Sequence, residues 1–475
     1  MMRTYKLFID GDWVDTDERR DVTSPYDGNV VGRVAVATAD DAERAVTAAD
    51  AAHERGCPAE HERAEILERA ALLVTERRDD LARSMAEEAG KPVTTAGVEA
   101  DRCVDTLRFS AVEARQLAGS VVPLSASSNG VGKFGFTLLR PKGVVAAITP
   151  FNFPLNLVTH KLAPAFAAGC PVVLKPAGDT PLTAFMLAEI LTEAGMPHGF
   201  LNVLTGASSE IGPAITGRPE VKVISFTGST GVGHGLQDDN PRKPVLMELG
   251  NNTPVIIDAT ADLDRAAARL AATGFQFAGQ SCISAQRVYV DAVVKDDFCA
   301  RLVADVADLR VGDPLDPDTD VGPLIRSDDR DRVLSWIREA VDAGAKVLVG
   351  GELNEDGTLQ PTVLDEVTPD MRVCKDEVFG PVLAVQTVRD LDEGIRLANA
   401  THYGLQAGIF TRDLDAALRG ARELYFGGVT INESPTFRAD QQPYGGVRDS
   451  GNTREGPAWA VRDYLEETVV VVHLS

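Results

Sequence analysis

What constrains this chain most is a rhythm that begins at Val144. Short, uninterrupted apolar runs (VVAAI, PVVLK, LNVL, VISF and VLMEL) alternate with stretches of helical spacing such as 181–194 and 208–216. A strand with one wet face alternates apolar and polar residues; a strand covered on both faces does not, and needs helices between it and the next. The pattern predicts an α/β fold with a doubly wound parallel sheet, which binds ligands beyond the carboxyl ends of its strands. A second α/β region is expected from about 251 to 440, with PVIID, RVYVDAVV, AKVLVG, GPVLAVQTV and GVTIN as strands. At 475 residues the chain exceeds what one core fills, so more than one domain is expected.

The flanks read differently. TYKLFIDGDWV is a short β region, and 39–55, 60–88 and roughly 94–117 carry helical periodicity. GSVVPLSASSNGVGKFGFTLLRPKG reads as a β-ribbon turning at Asn129-Gly130. The last run, YLEETVVVVHL, is a β-branched strand that would aggregate if its edge were left bare, so it is expected to pair, with another subunit as one candidate.

Composition removes several classes of function. With 71 acidic against 47 basic residues the net charge is −24, which argues against nucleic acid as a partner. No apolar run approaches the ~20 residues of a membrane span, so no membrane partner is expected. The opening MMRTYKLFIDGDWVD resembles neither a secretory nor a transit segment, and a cytoplasmic location is expected. Six cysteines without a CxxC and seven histidines without an HxxxH predict neither a metal site nor a disulfide framework. The 36 arginines against 11 lysines, set among so many acids, also fit a halophilic-type surface. Molar salt shortens the Debye length to ~3 Å and relieves such self-repulsion.

Four segments can carry chemistry. In AITPFNFPLN, Asn152 stands between two prolines past a buried strand, either as a turn residue or as a rigid amide donor for an oxyanion. In VVLKPAGDTPLTA, Lys175 closes a buried strand, where it either lays its stem on apolar surface or reaches a ribose hydroxyl or phosphate. In VISFTGSTGVGHGL, a strand runs through Gly228 and Ser229 into a helix, a place for an anion, though the usual dinucleotide fingerprint is absent. Finally Glu248 ends the run VLMEL, and Cys282 follows 34 residues later in Gly-Gln-Ser-Cys. A thiol that attacks a carbonyl leaves a thioester, and a desolvated carboxylate can activate the water that releases it.

Taken together, PFNFP, KPA with TPL, FTGSTGVG, ELGNNTP, GQSC, EVFGPV and PYGGVRDSG stand in the order and spacing of the aldehyde dehydrogenase superfamily, which the chain resembles over essentially its whole length. The branch it looks most like is that of lactaldehyde and non-phosphorylating glyceraldehyde-3-phosphate dehydrogenases. The resemblance implies Cys282 as nucleophile, Asn152 as oxyanion donor and Glu248 as the base for hydrolysis. It implies an NAD(P) site built from Thr149, Pro150, Phe151, Lys175, Ala177, Gly178, Gly206, Phe226, Gly228, Ser229, Leu249, Glu377 and Phe379. It implies a dinucleotide-binding domain (1–117 and 139–249), a catalytic domain (250–454) and an oligomerisation arm (118–138 and 455–475) of a homodimer or homotetramer.

Three departures bear on function. Many NAD-preferring relatives carry Glu where this chain has Gly178, so both cofactors are expected with a lean to NADP, Asp179 pulling the other way. ELGGKxP has become ELGNNTP, with Glu248 kept, which favours hydrolysis over transfer to coenzyme A. The Lys of PFGGxKxSG is Arg448, a surface-type change. For the substrate, Arg108 and Arg438 are candidate clamps for an anionic tail, or structural ion pairs. A short aldehyde such as α-ketoglutarate or succinate semialdehyde is expected, with lactaldehyde or glyceraldehyde 3-phosphate as alternatives and a non-catalytic family member as the contrasting class. Ser281, where phosphate-specific relatives tend to carry Arg, lowers the phosphorylated choice.

Overall fold

In the computed structural model, which describes residues 2–474, the rhythm from Val144 onward becomes a parallel sheet. Its five parallel strands lie in the order 245–248, 221–227, 144–148, 172–175, 201–203. Leu7–Ile9 and Asp12–Val14 extend it antiparallel. Val144–Ile148 sits in the middle: the chain first builds outward on one side, then returns to lay Val221–Thr227 on the other. That reversal opens a crevice beyond Ile148 and Thr227, the usual ligand position of such sheets.

The second sheet runs in the order 346–349, 362–365, 382–388, 287–291, 254–257, 406–410, 428–431, and only its first edge pair is antiparallel. Thr362–Asp365 and Gln406–Phe410 complete it without having been expected. Neither announces itself: one is four residues long, and the other opens on a buried Gln and contains Gly408, packed against Pro435.

The third sheet is a ribbon in which Leu465–His473 pairs with Lys133–Pro141 along its full length. It departs from the expected hairpin. Pro123 stops the preceding strand at Val121–Val122, and Asn129-Gly130 lie in a 3₁₀ turn, Ser128–Gly130, not in a two-residue turn. The expected helix over 60–88 is likewise two helices, Glu60–Glu76 and Arg78–Ala89, broken at Arg77 (φ −103°, ψ 15°). No Gly or Pro marks the break, and both segments pack on Val93–Gln116 and Leu182–Glu193.

Candidate active site

Cys282 sits in a loop whose backbone is held in an unusual shape. Phe277, Ala278 and Gly279 all have positive φ (51°, 52° and 69°), a conformation that costs a non-glycine residue roughly 1 kcal/mol or more. Packing sustains it. Phe277 and Ala278 are buried, and a Cβ at Gly279 would meet the Gly380 carbonyl at 2.2 Å. Gln280 staples the loop, its side chain donating to the Phe277 carbonyl (3.2 Å) and accepting from the Ile325 N–H (2.9 Å). The half-buried Cys282 thiol faces a cavity of about 250 Å³. Burial pushes its pKa up to about 12, a rise opposed by a 3.0 Å hydrogen bond with the Tyr444 hydroxyl.

Asn152 reaches this loop directly, its Nδ2 donating to the Gln280 carbonyl at 3.1 Å, which leaves a second N–H free. The turn that carries it is fixed from below: the buried Glu99 carboxylate accepts from the Leu155 and Asn156 N–H groups (2.9 and 3.0 Å). Glu248 ends the strand Val245–Glu248, where Ser450-Gly451-Asn452 pairs with the chain and Gly451 (φ 136°) allows contact with the Met247 carbonyl. Its side chain is buried, and neither oxygen has a hydrogen-bond partner. Burial, then repulsion from Glu455, raises its pKa well above the ordinary carboxylate range.

Beside the thiol lies a dense charge network. Arg438, with its side chain 5% exposed, donates to Glu455 (3.1 Å), lies 3.1 Å from His160 Nε2 and stacks 3.8 Å above the Tyr444 ring. Its Nε has no partner. Arg102 makes a two-pronged pair with Asp440 (3.1 and 2.9 Å), which also bonds His160 and Asn156. Lys161 reaches Glu455 from the other side at 3.4 Å. Burial works to raise the Glu455 pKa, but Lys161 and Arg438 outweigh it and hold the carboxyl at about 2.

Of the two arginines singled out for the substrate, Arg438 lines the cavity and Arg108 does not. Arg108 is exposed on the helix Val93–Gln116; the helix presents Arg102 instead, six residues earlier and so roughly 240° around the axis. Arg269, paired with Glu433, lines the cavity too. Tyr444 is the functional candidate that motif reading missed, although it stands inside PYGG. Arg448, read as a surface-type change, is exposed, and it donates to the Asn399, Thr401 and Tyr403 carbonyls and ties that loop down.

At the sheet's switch point a cavity of about 740 Å³ is lined by Thr149, Pro150 and Phe151, by Lys175, Ala177 and Gly178, and by Phe226, Gly228 and Ser229. Its walls fit a dinucleotide. Thr149 and Thr227 each bury a hydroxyl with no partner. Ser229 precedes the helix Thr230–Asp239 without capping it, leaving its first N–H groups for an anion. A Cβ at Gly228 would strike the Phe226 ring at 2.6 Å, so the backbone there stays bare. Toward Cys282, Phe379 (φ 47°) meets Phe151 edge-on, and the half-buried Glu377, its pKa raised to about 7 by desolvation, accepts from Asn251 N–H. Both flank a small void that reaches Ser281. Gly206 and Leu249 lie off these walls, because Gly206 packs on the Ala37 carbonyl and Ile211, and Leu249 on Gly233.

Among the described residues no group of three or more His, Cys, Asp or Glu is placed to hold a metal ion, and no helix is long and apolar enough to cross a membrane. The profile of the aldehyde dehydrogenase family matches residues 13–470. A 3-sulfolactaldehyde dehydrogenase of Priestia megaterium is 42% identical, covering 100% of this chain and 99% of the relative. A lactaldehyde dehydrogenase of Methanococcus maripaludis is 36% identical over 98% of this chain and 100% of its own. Among solved structures, aldehyde dehydrogenase 21 of Physcomitrella patens, in complex with the reaction product succinate, superposes with a TM-score of 0.96 at 38% identity, covering 100% and 99% of the two chains. An NADP-dependent enzyme of E. coli gives 0.96 at 37% identity, covering 100% and 98%.

Proposed function

This chain belongs to the aldehyde dehydrogenase family and is an NAD(P)-dependent enzyme, and from that premise we propose that it oxidises a short aldehyde bearing an anionic tail to the free acid. The observation that carries the reading is the cavity of about 250 Å³ with Cys282 on its wall, Arg102, Arg269 and Arg438 around it, and a buried Arg438 N–H still without an acceptor. A guanidinium fork suits carboxylate or sulfonate oxygens. The hydroxyls of Thr273, Ser281 and Thr436 on the same wall suit a 2-hydroxyl group. With sulfolactaldehyde and lactaldehyde dehydrogenases among the relatives, the first choice moves from a dicarboxylic semialdehyde to a 2-hydroxyaldehyde with a terminal sulfonate. The succinate bound to the Physcomitrella enzyme keeps succinate semialdehyde as the second reading.

In the proposed mechanism Cys282 Sγ attacks the aldehyde carbon, its proton passing to solvent water as the C–S bond forms. The Tyr444 hydroxyl donates to the developing thiolate. The resulting oxyanion takes hydrogen bonds from the free Asn152 N–H and the Cys282 backbone N–H. When bound, NAD(P) supplies the hydride acceptor that turns the hemithioacetal on Cys282 into a thioester. Glu248, unpartnered and desolvated, then accepts a proton from water as its oxygen attacks the thioester, and the carboxylic acid leaves as the thiol reforms.

The ribbon supports a homo-oligomer. Leu465–His473 is an edge strand, and Val469, Val471, Val472, Phe134 and Leu138 are exposed on it and its neighbour, a surface that a second copy would cover.

A panel of 3-sulfolactaldehyde, succinate semialdehyde and lactaldehyde, followed by reduced-nicotinamide absorbance, tests the substrate class. Either anionic aldehyde should exceed neutral lactaldehyde in kcat/KM by roughly 10- to 100-fold. Equal turnover of lactaldehyde would overturn it, and acyl-CoA formed on adding coenzyme A would overturn the hydrolytic step.

A further inference from the structure

At Gly178, a residue of the nucleotide cavity's wall, the space for a side chain is taken by a residue from elsewhere in the chain. Gly178 has no side chain, and the space where its Cβ would stand is filled by the Arg20 guanidinium, whose Nη2 and Nη1 lie 2.7 and 2.8 Å from that point. Arg20 comes from the strand Arg19–Thr23, far away in sequence, and donates to the Gly178 carbonyl. A guanidinium has five N–H donors, so this bond leaves most of them open. In a chain so rich in acids its arginines are commonly paired: Arg19 holds Asp15 and Arg326 holds Asp179. Among the described residues Arg20 has no carboxylate partner. Its charge acts on another cation: after burial itself, Arg20 is the group that shifts Lys175 most.

Two cations that repel one another, with Asp179, the acid that acts on Lys175, itself taken by Arg326, form an arrangement that an anion would relieve. A ribose hydroxyl would not relieve that repulsion; a phosphate dianion would, and its oxygens match the guanidinium fork. We propose that Arg20, standing in the place of the missing side chain at Gly178, is the residue that recognises the 2′-phosphate of NADP. The assignment rests on the reading that the adenosine ribose lies at Lys175. It places cofactor choice on a contact between the N-terminal β region and the loop after Val172–Lys175.

Binding without aldehyde tests this, by calorimetric titration of NADP⁺ and NAD⁺ into the wild type, Arg20→Gln and Arg20→Lys. Arg20→Gln should weaken NADP⁺ binding by about 10- to 100-fold, the worth of one or two charge-assisted hydrogen bonds, while NAD⁺ shifts by less than about 3-fold. Arg20→Lys, which keeps the charge and loses the fork, should recover part of the NADP⁺ affinity. If the NADP⁺-to-NAD⁺ affinity ratio is the same in wild type and Arg20→Gln, the assignment of Arg20 is wrong while the dinucleotide site stands. If the wild type binds neither nucleotide, the reading of the cavity falls and takes this assignment with it.

Discussion

Around Glu248 and around Glu455 the same chain treats a buried carboxylate in opposite ways. Glu455 is met by Lys161 on one side and Arg438 on the other, and its pKa is held at about 2. Glu248 has no hydrogen-bond partner at either oxygen, and burial followed by the charge of Glu455 drives its pKa upward. A buried ion pair fixes geometry because breaking it leaves an uncompensated charge. A buried carboxylate left unpaired costs stability, and that cost is tolerated where the group must change protonation state during a reaction. The same contrast recurs nearby: Arg102 and Asp440 are tied together, whereas Thr149 and Thr227 are left unsatisfied on the wall of the nucleotide cavity.

Three substitutions would break or sharpen that contrast. The largest effect belongs to Cys282→Ala, which should lower reduced-nicotinamide production at least ~10⁴-fold, since no other nucleophile replaces the thiol; residual turnover near wild type would end the thioester mechanism. Glu248→Gln should leave a rapid burst of about one reduced cofactor per subunit and slow the steady state by roughly 10²- to 10⁴-fold. It should also raise Tm at neutral pH. With its folded pKa raised, Glu248 contributes stability below its unfolded pKa and loses it as pH rises through the folded value, so the variant's advantage should grow with pH. Glu455→Gln should do the reverse and cost about 3–5 kcal/mol, read in urea unfolding, because Lys161 and Arg438 lose their shared partner. In the wild type that contribution is full above the ordinary carboxylate pKa and is lost as pH falls toward about 2. Equal Tm shifts of the same sign in both variants would erase the distinction.

How much of this was legible beforehand follows from what each feature depends on. The parallel strands from Val144 onward read directly, because burial on both faces writes itself as an unbroken apolar run. The break at Arg77 did not, since the periodicity continues through it and no Gly or Pro marks it. Asn152, Glu248 and Cys282 could be named from motifs held in common with a family; nothing local distinguishes Cys282 from the five other cysteines. The choice of Arg108 over Arg102 was a matter of helix phase, which could have been computed from the axis rotation had the cavity-facing side been known. Arg20 and Gly178 are 158 residues apart, and no sequence pattern joins them.

The smallest effect tests a contact that links the two regions. Tyr444 bonds the Cys282 thiol and lies beneath Arg438, so the paired network touches the reactive sulfur through it. A cation above a phenol ring makes its hydroxyl a better donor, and that bond opposes the rise that burial imposes on the thiol. Because the thiol pKa lies at about 12, the thiolate fraction, and with it the rate of alkylation by iodoacetamide, should climb about tenfold per pH unit from neutral pH upward. Tyr444→Phe should keep that slope and lower the rate at every pH by roughly 3- to 10-fold, the worth of one modest hydrogen bond. A faster reaction in the variant would mean that the tyrosine oxygen accepts from the thiol and holds its proton in place. The network would then restrain the nucleophile instead of preparing it.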